Sequence, residues 1–445
     1  MKNITLSEHF TYSKIIRFVL PSIVMITFTA LYDVVDDGYF VSNFVGKEAF
    51  VAISLLSPFL EAIGALGYMI GAGGSALVAK LLGEGNDKKA RQVFSMLVYS
   101  CIGIGILLTI IGYMVLEPLS FTLGARGLVL KECISYGHAL LVFVVPFMLQ
   151  DTFQSFLIVI ERPKVGMVVT ILSGVANIVV DIVLIVILKW GIIGAALATG
   201  SGLVIGSLIP LRFFIGKGQS KIYLEKLHMD LRAFRKVCIN GSSEFLTDVS
   251  AGIVTLLYNI QLMRFVGDNG VAVYGAIDYI SYIFASVFIG YGVGIAPVIS
   301  YQYGAKNSKE LKNLFTKSIK ILVATGAILA VGTFSSAPFM AGIFLGYDKN
   351  LWMMAIHGLR IYSIAFLVMG IGIFGSSFFT SLNDGLTSGI LSVTRTVVFQ
   401  MGTVMILPIF FQLEGIWWSI VVAEVLAASI TIVFLIKRNR FINIR

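Results

Sequence analysis

Three carboxylates crowd the end of the first long apolar run: Asp33, Asp36 and Asp37, within LYDVVDDGYFVSNFVG from Leu31 to Gly46. A helix turns about 100° per residue, so Asp33 and Asp37 stack one turn apart with Asp36 beside them. Each costs roughly 2.5–3.5 kcal/mol at the centre of a membrane helix, so their shared face must meet a protein interior or a water-filled cavity. A second constellation lies further along. Asn177 and Asp181 are spaced i, i+4 in one apolar run, and Thr199 follows in the next. Carboxylates, an amide oxygen and a hydroxyl are hard donors with adjustable protonation, which suits a proton or a small alkali cation such as sodium. Glu61, Asp151, Glu244, Asp248, Asp278, Glu424 and Arg395 also fall inside apolar segments. Of these, Glu61, Glu244, Asp248, Asp278 and Arg395, with Asp33 and Asp36, are the candidates for contact with a polar cargo. A structural hydrogen bond or a place near the headgroups competes for Glu61, Asp151, Asp278 and Glu424, and a place at the outer surface for Asp33 and Asp36. Arg395 is divided between pairing with a carboxylate and lining a cavity.

The segments that position these groups are helices in a membrane. Of 445 residues, 57% are hydrophobic and only 13% charged, with a mean hydropathy of +0.92. A soluble surface needs more charge than that. Twelve apolar runs are legible, near 14–42, 50–79, 93–116, 133–160, 164–188, 191–214, 234–265, 271–301, 314–337, 359–382, 387–411 and 415–436. They lack the period-two alternation of barrel strands, so they are predicted as transmembrane helices of an all-α integral membrane protein. The first run carries Pro21 and the Asp cluster rather than a cleavable leader, and is expected to persist in the mature chain.

Lys and Arg set the orientation. Of 33, one alternate set of loops and termini holds 25 and the other 7, with Arg395 inside a helix. The positive-inside rule then puts both termini in the cytoplasm, in a multi-pass protein of the cell membrane. The halves repeat. The stretch from Gly71 aligns without gaps on that from Gly292, an offset of 221, and Phe44-Val45-Gly46 meets Phe265-Val266-Gly267 at the same offset. Gly191-Ile192 meets Gly415-Ile416 three residues further out of register. An offset of six helices makes the repeats parallel, related by a pseudo-two-fold axis along the membrane normal. The expected organisation is an N-terminal six-helix lobe, 1–214, a cytoplasmic linker, 215–233, and a C-terminal six-helix lobe, 234–445. Gly67, Gly71, Gly290 and Gly294 are expected to allow close helix packing.

Other classes fit poorly. Cys101, Cys133 and Cys238 form no metal or disulfide pattern, and the four histidines assemble no metalloenzyme signature. No phosphate-binding loop or nucleophile elbow is present, so an enzyme is not expected. The net charge of +9 follows from the loop bias and does not call for nucleic acid.

DGYFVSNFVGK around Asp37, NIVVD at Asn177–Asp181 and GAALAT ending at Thr199 resemble the multidrug and toxic compound extrusion (MATE) family. The resemblance covers nearly the whole chain. It implies an antiporter that exports organic, often cationic compounds against protons or sodium, with that gradient as the energy source and no cofactor. Within it, Asp37, Asn177, Asp181 and Thr199 carry the cation or proton site of the N-terminal lobe, with sodium as its metal if one binds. Asp37 is preferred to Asp36 because it lies nine residues before Gly46. Glu244 matches a seventh-helix glutamate that some members carry, whereas the tenth helix has no carboxylate before Asp384, and Ile182 replaces a frequent proline. The expected partners are small organic cations or drugs and the lipid bilayer, with the monomer as the working unit. A flippase for lipid-linked oligosaccharides or another amphipathic lipid is the alternative.

Overall fold

The structure, a computed structural model, describes residues 4–35, 40–41, 44–216 and 220–442, and for 33–35 and 438–442 the backbone alone. Ten stretches among them are helical, long and apolar enough to cross a membrane. They are α1 (Tyr12–Val35), α2 (Lys47–Gly83), α3 (Asp87–Thr122), then α6 (Pro163–Asp181) with the π turn that follows it, and α7 (Ile192–Phe214). After them come α8 (Leu231–Phe265), α9 (Asp268–Gly304), α10 (Ser308–Leu345), α11 (Lys349–Ser381) and a continuous stretch from Gly385 to Lys437.

Two further spans complete the set. The helices α4 (Gly127–Leu141) and α5 (Val144–Val159) meet at a 54° bend and together make one crossing. Pro146 contributes to the break: it has no N–H for the Val142 carbonyl, which weakens the helix at Val142 and Phe143. The last stretch is 53 residues long, about 80 Å as a straight helix, far more than a bilayer's roughly 30 Å core. It comprises α12 (Gly385–Val393), a π turn and α13 (Met401–Ile442), and it reverses at Gln412, where φ is 50° and ψ −129°. Beyond the reversal the chain folds back, and Thr403 Oγ1 donates to the Ser419 carbonyl at 3.0 Å. Among the described residues twelve crossings result, as the hydropathy predicts.

Helices α2–α7 pack around one apolar core, in which Phe94 sits against Phe156 and Phe214 at 4.8 Å between ring centres. Helices α8–α13 build a second core, which Ile15, Phe18 and Val19 of α1 join. The two bodies meet along α1 on α9, α2 on α8, and α2 on α9. Under the 221-residue offset the first two contacts exchange, so the seam is one contact used twice. Gly73 of α2 faces the Val237 carbonyl of α8, and its repeat mate Gly294 of α9 faces Val19 and Ser22 of α1. Of the four glycines singled out by spacing, Gly290 and Gly294 serve this seam, while Gly67 and Gly71 seat α5 against α2 inside one lobe.

Two chain segments strap the basic end. The linker lies on the first lobe, where Lys89 meets Asp230 at 2.5 Å, Arg91 meets Glu225 at 2.8 Å, and Asp230 caps α8 through the Ala233 N–H. The N-terminal segment crosses both lobes. The Leu6 N–H donates to Glu161 of the first lobe, and its carbonyl accepts from Gln302 of the second, at 2.8 and 2.7 Å. Phe10, fully buried, donates its N–H to Glu310 and accepts from Asn313 and Lys317.

Candidate functional site

In the first lobe, α6 starts with Pro163 in its first turn, a position that needs no backbone donor. Asn177 and Asp181 lie on its buried face at 1% and 0% exposure. That face is squeezed between two neighbours. Gly174 takes the Phe28 ring of α1, with Tyr32 stacked beside it, and a Cβ on Gly174 would come within 2.7 Å of Phe28. On the other side Ser173 Oγ donates to the Gly202 carbonyl of α7, and Gly202 lies against Asn177. Because α6 and α7 run antiparallel, one turn along each helix from that contact brings Asn177 level with Thr199. Thr199 Oγ1 donates to the Ala195 carbonyl at 3.1 Å. Directly after Asp181 the helix relaxes into a π turn, Ile182–Ile187, a distortion that recurs at functional positions. It begins at Ile182, so the chain loosens its helix there without a proline.

The structure thus brings Asn177, Asp181 and Thr199 to one place beside the end of α1. Asp36 and Asp37 lie outside the described residues. Asp33, in the last turn of α1, is described in its backbone only.

A second acidic set lines the cleft between the lobes. Glu61 and Tyr68 come from α2, Asp151 from α5, and Glu244 and Asp248 from successive turns of α8. They are close enough for their charges to act on one another: Asp248 on Asp151, Glu244 and Glu61 on Asp248, and three of the four carboxylates on the Tyr68 hydroxyl. Among the described residues, no basic side chain pairs with any of the four. Glu61 and Asp248 are exposed, and Asp151 and Glu244 half-buried. The cleft has a floor. One turn before Glu244, Gly241 rests on the Met69 carbonyl of α2, where an added Cβ would sit 2.0 Å away. From that level to the basic end the lobes are in contact, so the carboxylates lie just above the seal.

Glu61, Glu244 and Asp248, named from sequence as cargo candidates, therefore share one cleft with Asp151. Asp278 and Arg395 do not join them. Both lie inside the second lobe, where Arg395 Nε bonds the two oxygens of Glu424 at 3.0 and 3.1 Å. Gln400 donates to the same carboxylate at 2.8 Å, and Glu424 is fully buried. The pairing alternative for Arg395 is the one observed. Sequence reading passed over Tyr68, although it follows Glu61 by two helical turns and so shares its face.

The sequence model of the family described as MatE matches residues 21–183 and 246–406. The multidrug export protein MepA of Staphylococcus saprophyticus is 25% identical over 435 residues, covering 96% of this chain and 94% of its own. MepA of Staphylococcus aureus is 24% identical with the same coverage. Among solved structures, a MATE protein in complex with MaL6 superimposes with a TM-score of 0.94 at 24% identity over the full length of both chains. An outward-facing multidrug resistance MATE transporter of the MOP superfamily gives 0.93 at 24% identity, covering 100% of this chain and 99% of that one.

Proposed function

The chain belongs to the MatE family, and from that premise we propose that it exports organic, often cationic, amphipathic compounds in exchange for protons or sodium. One observation carries the choice of cargo: four carboxylates from both lobes converge on the cleft with no basic partner among the described residues. An anionic cleft attracts cations and repels anions. The multidrug export named for the staphylococcal relatives agrees with this reading.

In this proposal the coupling cation or proton occupies Asp37, Asn177, Asp181 and Thr199 and reaches them from outside. Cargo enters the cleft from the cytoplasm when the basic-end seal opens and leaves outward when it closes. The lobes, 1–214 and 234–445, rock against each other about the repeated seam, the mode expected of parallel repeats. The protein then sits in the cell membrane with both termini cytoplasmic, works as a monomer and needs no cofactor. Pro21 interrupts the hydrogen bonds of α1 beside the seam, which makes bending of that helix inexpensive. The flippase alternative is less favoured, because anionic lipid cargo calls for free buried arginines and Arg395 is committed to Glu424.

The test is reconstitution into liposomes with proton and sodium gradients imposed separately, following a fluorescent organic cation. Movement driven by one gradient, abolished by Asp37→Asn or Asp181→Asn in folded protein, is the expected result. Cation movement indifferent to both gradients would sink the antiport reading.

A further inference from the structure

At the basic end, one face of α8 carries Arg232, Arg235, Lys236, Ile239 and Asn240 at helical spacing, and they line a surface cavity of about 270 Å³. Asn383 and Gly385 close it from the turn between α11 and α12. Gly385 rests on the backbone at Ile239 and Asn240 with no room for a Cβ, which fixes the two walls to each other. Arg232, Arg235 and Lys236 are exposed, and none joins an ion pair among the described residues. The acids nearest in sequence face elsewhere: Asp230 holds Lys89, and Asp384 caps α12 through the Thr387 N–H. Lys80 and Glu84 of α2, themselves paired at 3.6 Å, act on Lys236 with opposite signs. The cavity therefore keeps a net positive charge.

Its floor needs hydrogen-bond donors. Asn240 is 1% exposed, and its Nδ2 donates to the Thr380 carbonyl at 2.9 Å, which fixes the amide and leaves Oδ1 without a partner. Asn383 repeats the arrangement, with Nδ2 on the Ala76 carbonyl and Oδ1 unpartnered. Buried amide oxygens are normally satisfied. The corresponding turn of the first repeat shows what such a position takes. There Glu161, whose φ of 63° matches the 57° of Asn383, accepts the Leu6 N–H of the N-terminal strap at 2.8 Å. In the second repeat the linker stands in the strap's place in chain order, but it is drawn to the first lobe through Arg91–Glu225 and Lys89–Asp230. No described segment brings a donor to Asn383 Oδ1.

We propose that this cavity binds a phosphate group that carries hydroxyl donors, the chemistry of a phosphoglycerol. The phosphate lies on Arg232, Arg235 and Lys236, and the hydroxyls donate to Asn240 Oδ1 and Asn383 Oδ1. Guanidinium groups match phosphate oxygens in geometry and charge, and the amino end of α12 adds a favourable dipole. At roughly 30 Å³ per water the space equals about nine waters, room for a polar headgroup and not for a whole lipid. The same group occurs on an anionic lipid and on a free phosphate ester. Here α8 enters its apolar run, and Ile239 and Leu386, next to Gly385, are exposed apolar side chains along which acyl chains can lie. The site is on the far side of the Gly241–Met69 floor from the interlobe carboxylates. Its ligand is therefore not cargo, and its existence does not depend on the transport reading.

The test is calorimetric titration of the purified full-length protein in nonionic detergent with dihexanoylphosphatidylglycerol, dihexanoylphosphatidylcholine and glycerophosphate at constant ionic strength. Phosphatidylglycerol should bind saturably and roughly tenfold or more tighter than phosphatidylcholine, whose headgroup has no donor and adds an opposing cation. Arg232→Gln/Arg235→Gln should weaken that binding roughly tenfold or more. Asn383→Gly, which keeps the left-handed backbone of the turn, should narrow the preference over phosphatidylcholine. Lys309→Gln/Lys312→Gln removes two exposed charges elsewhere on the basic end and should leave binding unchanged. If the arginine variant fails to fold, Lys236→Gln replaces it and should weaken binding. Tighter binding of the lipid than of glycerophosphate identifies a lipid as the source, and equal or weaker binding identifies a free ester. No saturable binding of either would overturn the proposal. So would equal affinity for phosphatidylcholine, binding unaffected by the arginine and Lys236 substitutions, or an equal loss in the Lys309/Lys312 variant.

Discussion

Gly83 and Gly304 are repeat mates that press on each other's helices. A Cβ on Gly83 would come within 2.1 Å of the Tyr301 carbonyl oxygen, and one on Gly304 within 2.0 Å of the Lys80 carbonyl oxygen. Lys80 and Tyr301 are themselves separated by the 221-residue offset. The crossing of α2 and α9 is therefore a contact of the repeat with itself, at the basic end of the cleft.

Both Cβ contacts are with backbone, so neither can be relieved by moving a side chain. Gly304→Val is expected to force the basic end apart and to lower gradient-driven export at least tenfold. Overpacking of this kind costs about 1–3 kcal/mol. Asn383, whose amide donates to the Ala76 carbonyl across the same seam at 3.3 Å, supplies the reporter. In an Asn383→Cys background, Gly304→Val should raise thiol labelling, and unchanged labelling would refute the assignment of this crossing as the seal.

Glu244 sits one turn above the Gly241–Met69 contact, with Asp248 one turn on. Glu244→Gln removes one of four mutually repelling charges. Affinity for monovalent organic cations should fall by about tenfold, the equivalent of 1.4 kcal/mol, while neutral substrates of similar shape lose little. Equilibrium binding of a matched cationic and neutral pair decides it; equal loss for both would assign Glu244 a structural role.

The Arg395–Glu424 pair predicts a pattern of stability. Removing one partner of a buried ion pair costs about 3–5 kcal/mol, because the other charge is stranded, whereas replacing both with apolar residues can be neutral. Glu424→Gln should lower the melting temperature sharply, and Arg395→Met/Glu424→Leu should recover most of it. A double variant as unstable as the single one would contradict the account.

At the linker, Lys89 holds the Asp230 carboxyl below its usual range, helped by the Ala233 N–H. A carboxylate depressed on folding stabilises the protein above its unfolded pKa, near 3.9, and loses that contribution as pH falls through the folded value. Asp230→Asn keeps the helix cap and deletes the charge. The variant should therefore melt slightly below the parent at pH 7, the gap closing as pH falls below about 4. The group is partly exposed, so the gap should also shrink in high salt.

Hydropathy and loop charge made the crossings and the repeat legible, because bilayer thickness and the cost of buried charge act on whole segments. Local geometry was harder to read. The break at Val142–Phe143 depends on one proline near the start of a run, and the π turn after Asp181 leaves no residue-type signature. Arg395 and Glu424 are 29 residues apart on different crossings, so their pairing required the fold. Asp151 stands alone in its helix, and only the meeting of α5, α2 and α8 gives it acidic company. Asn177 and Asp181 were readable from an i, i+4 spacing, since both fall on one helix.

The N-terminal strap makes the chain's beginning a mechanical handle. Leu6 spends its N–H on one lobe and its carbonyl on the other, so the same residue is tethered to both lobes. Opening the basic end has to lengthen or release at least one of those tethers. Anything attached ahead of Leu6, whether a fusion protein, an affinity tag or a tethered bead, pulls on the two lobes together and biases their rest position.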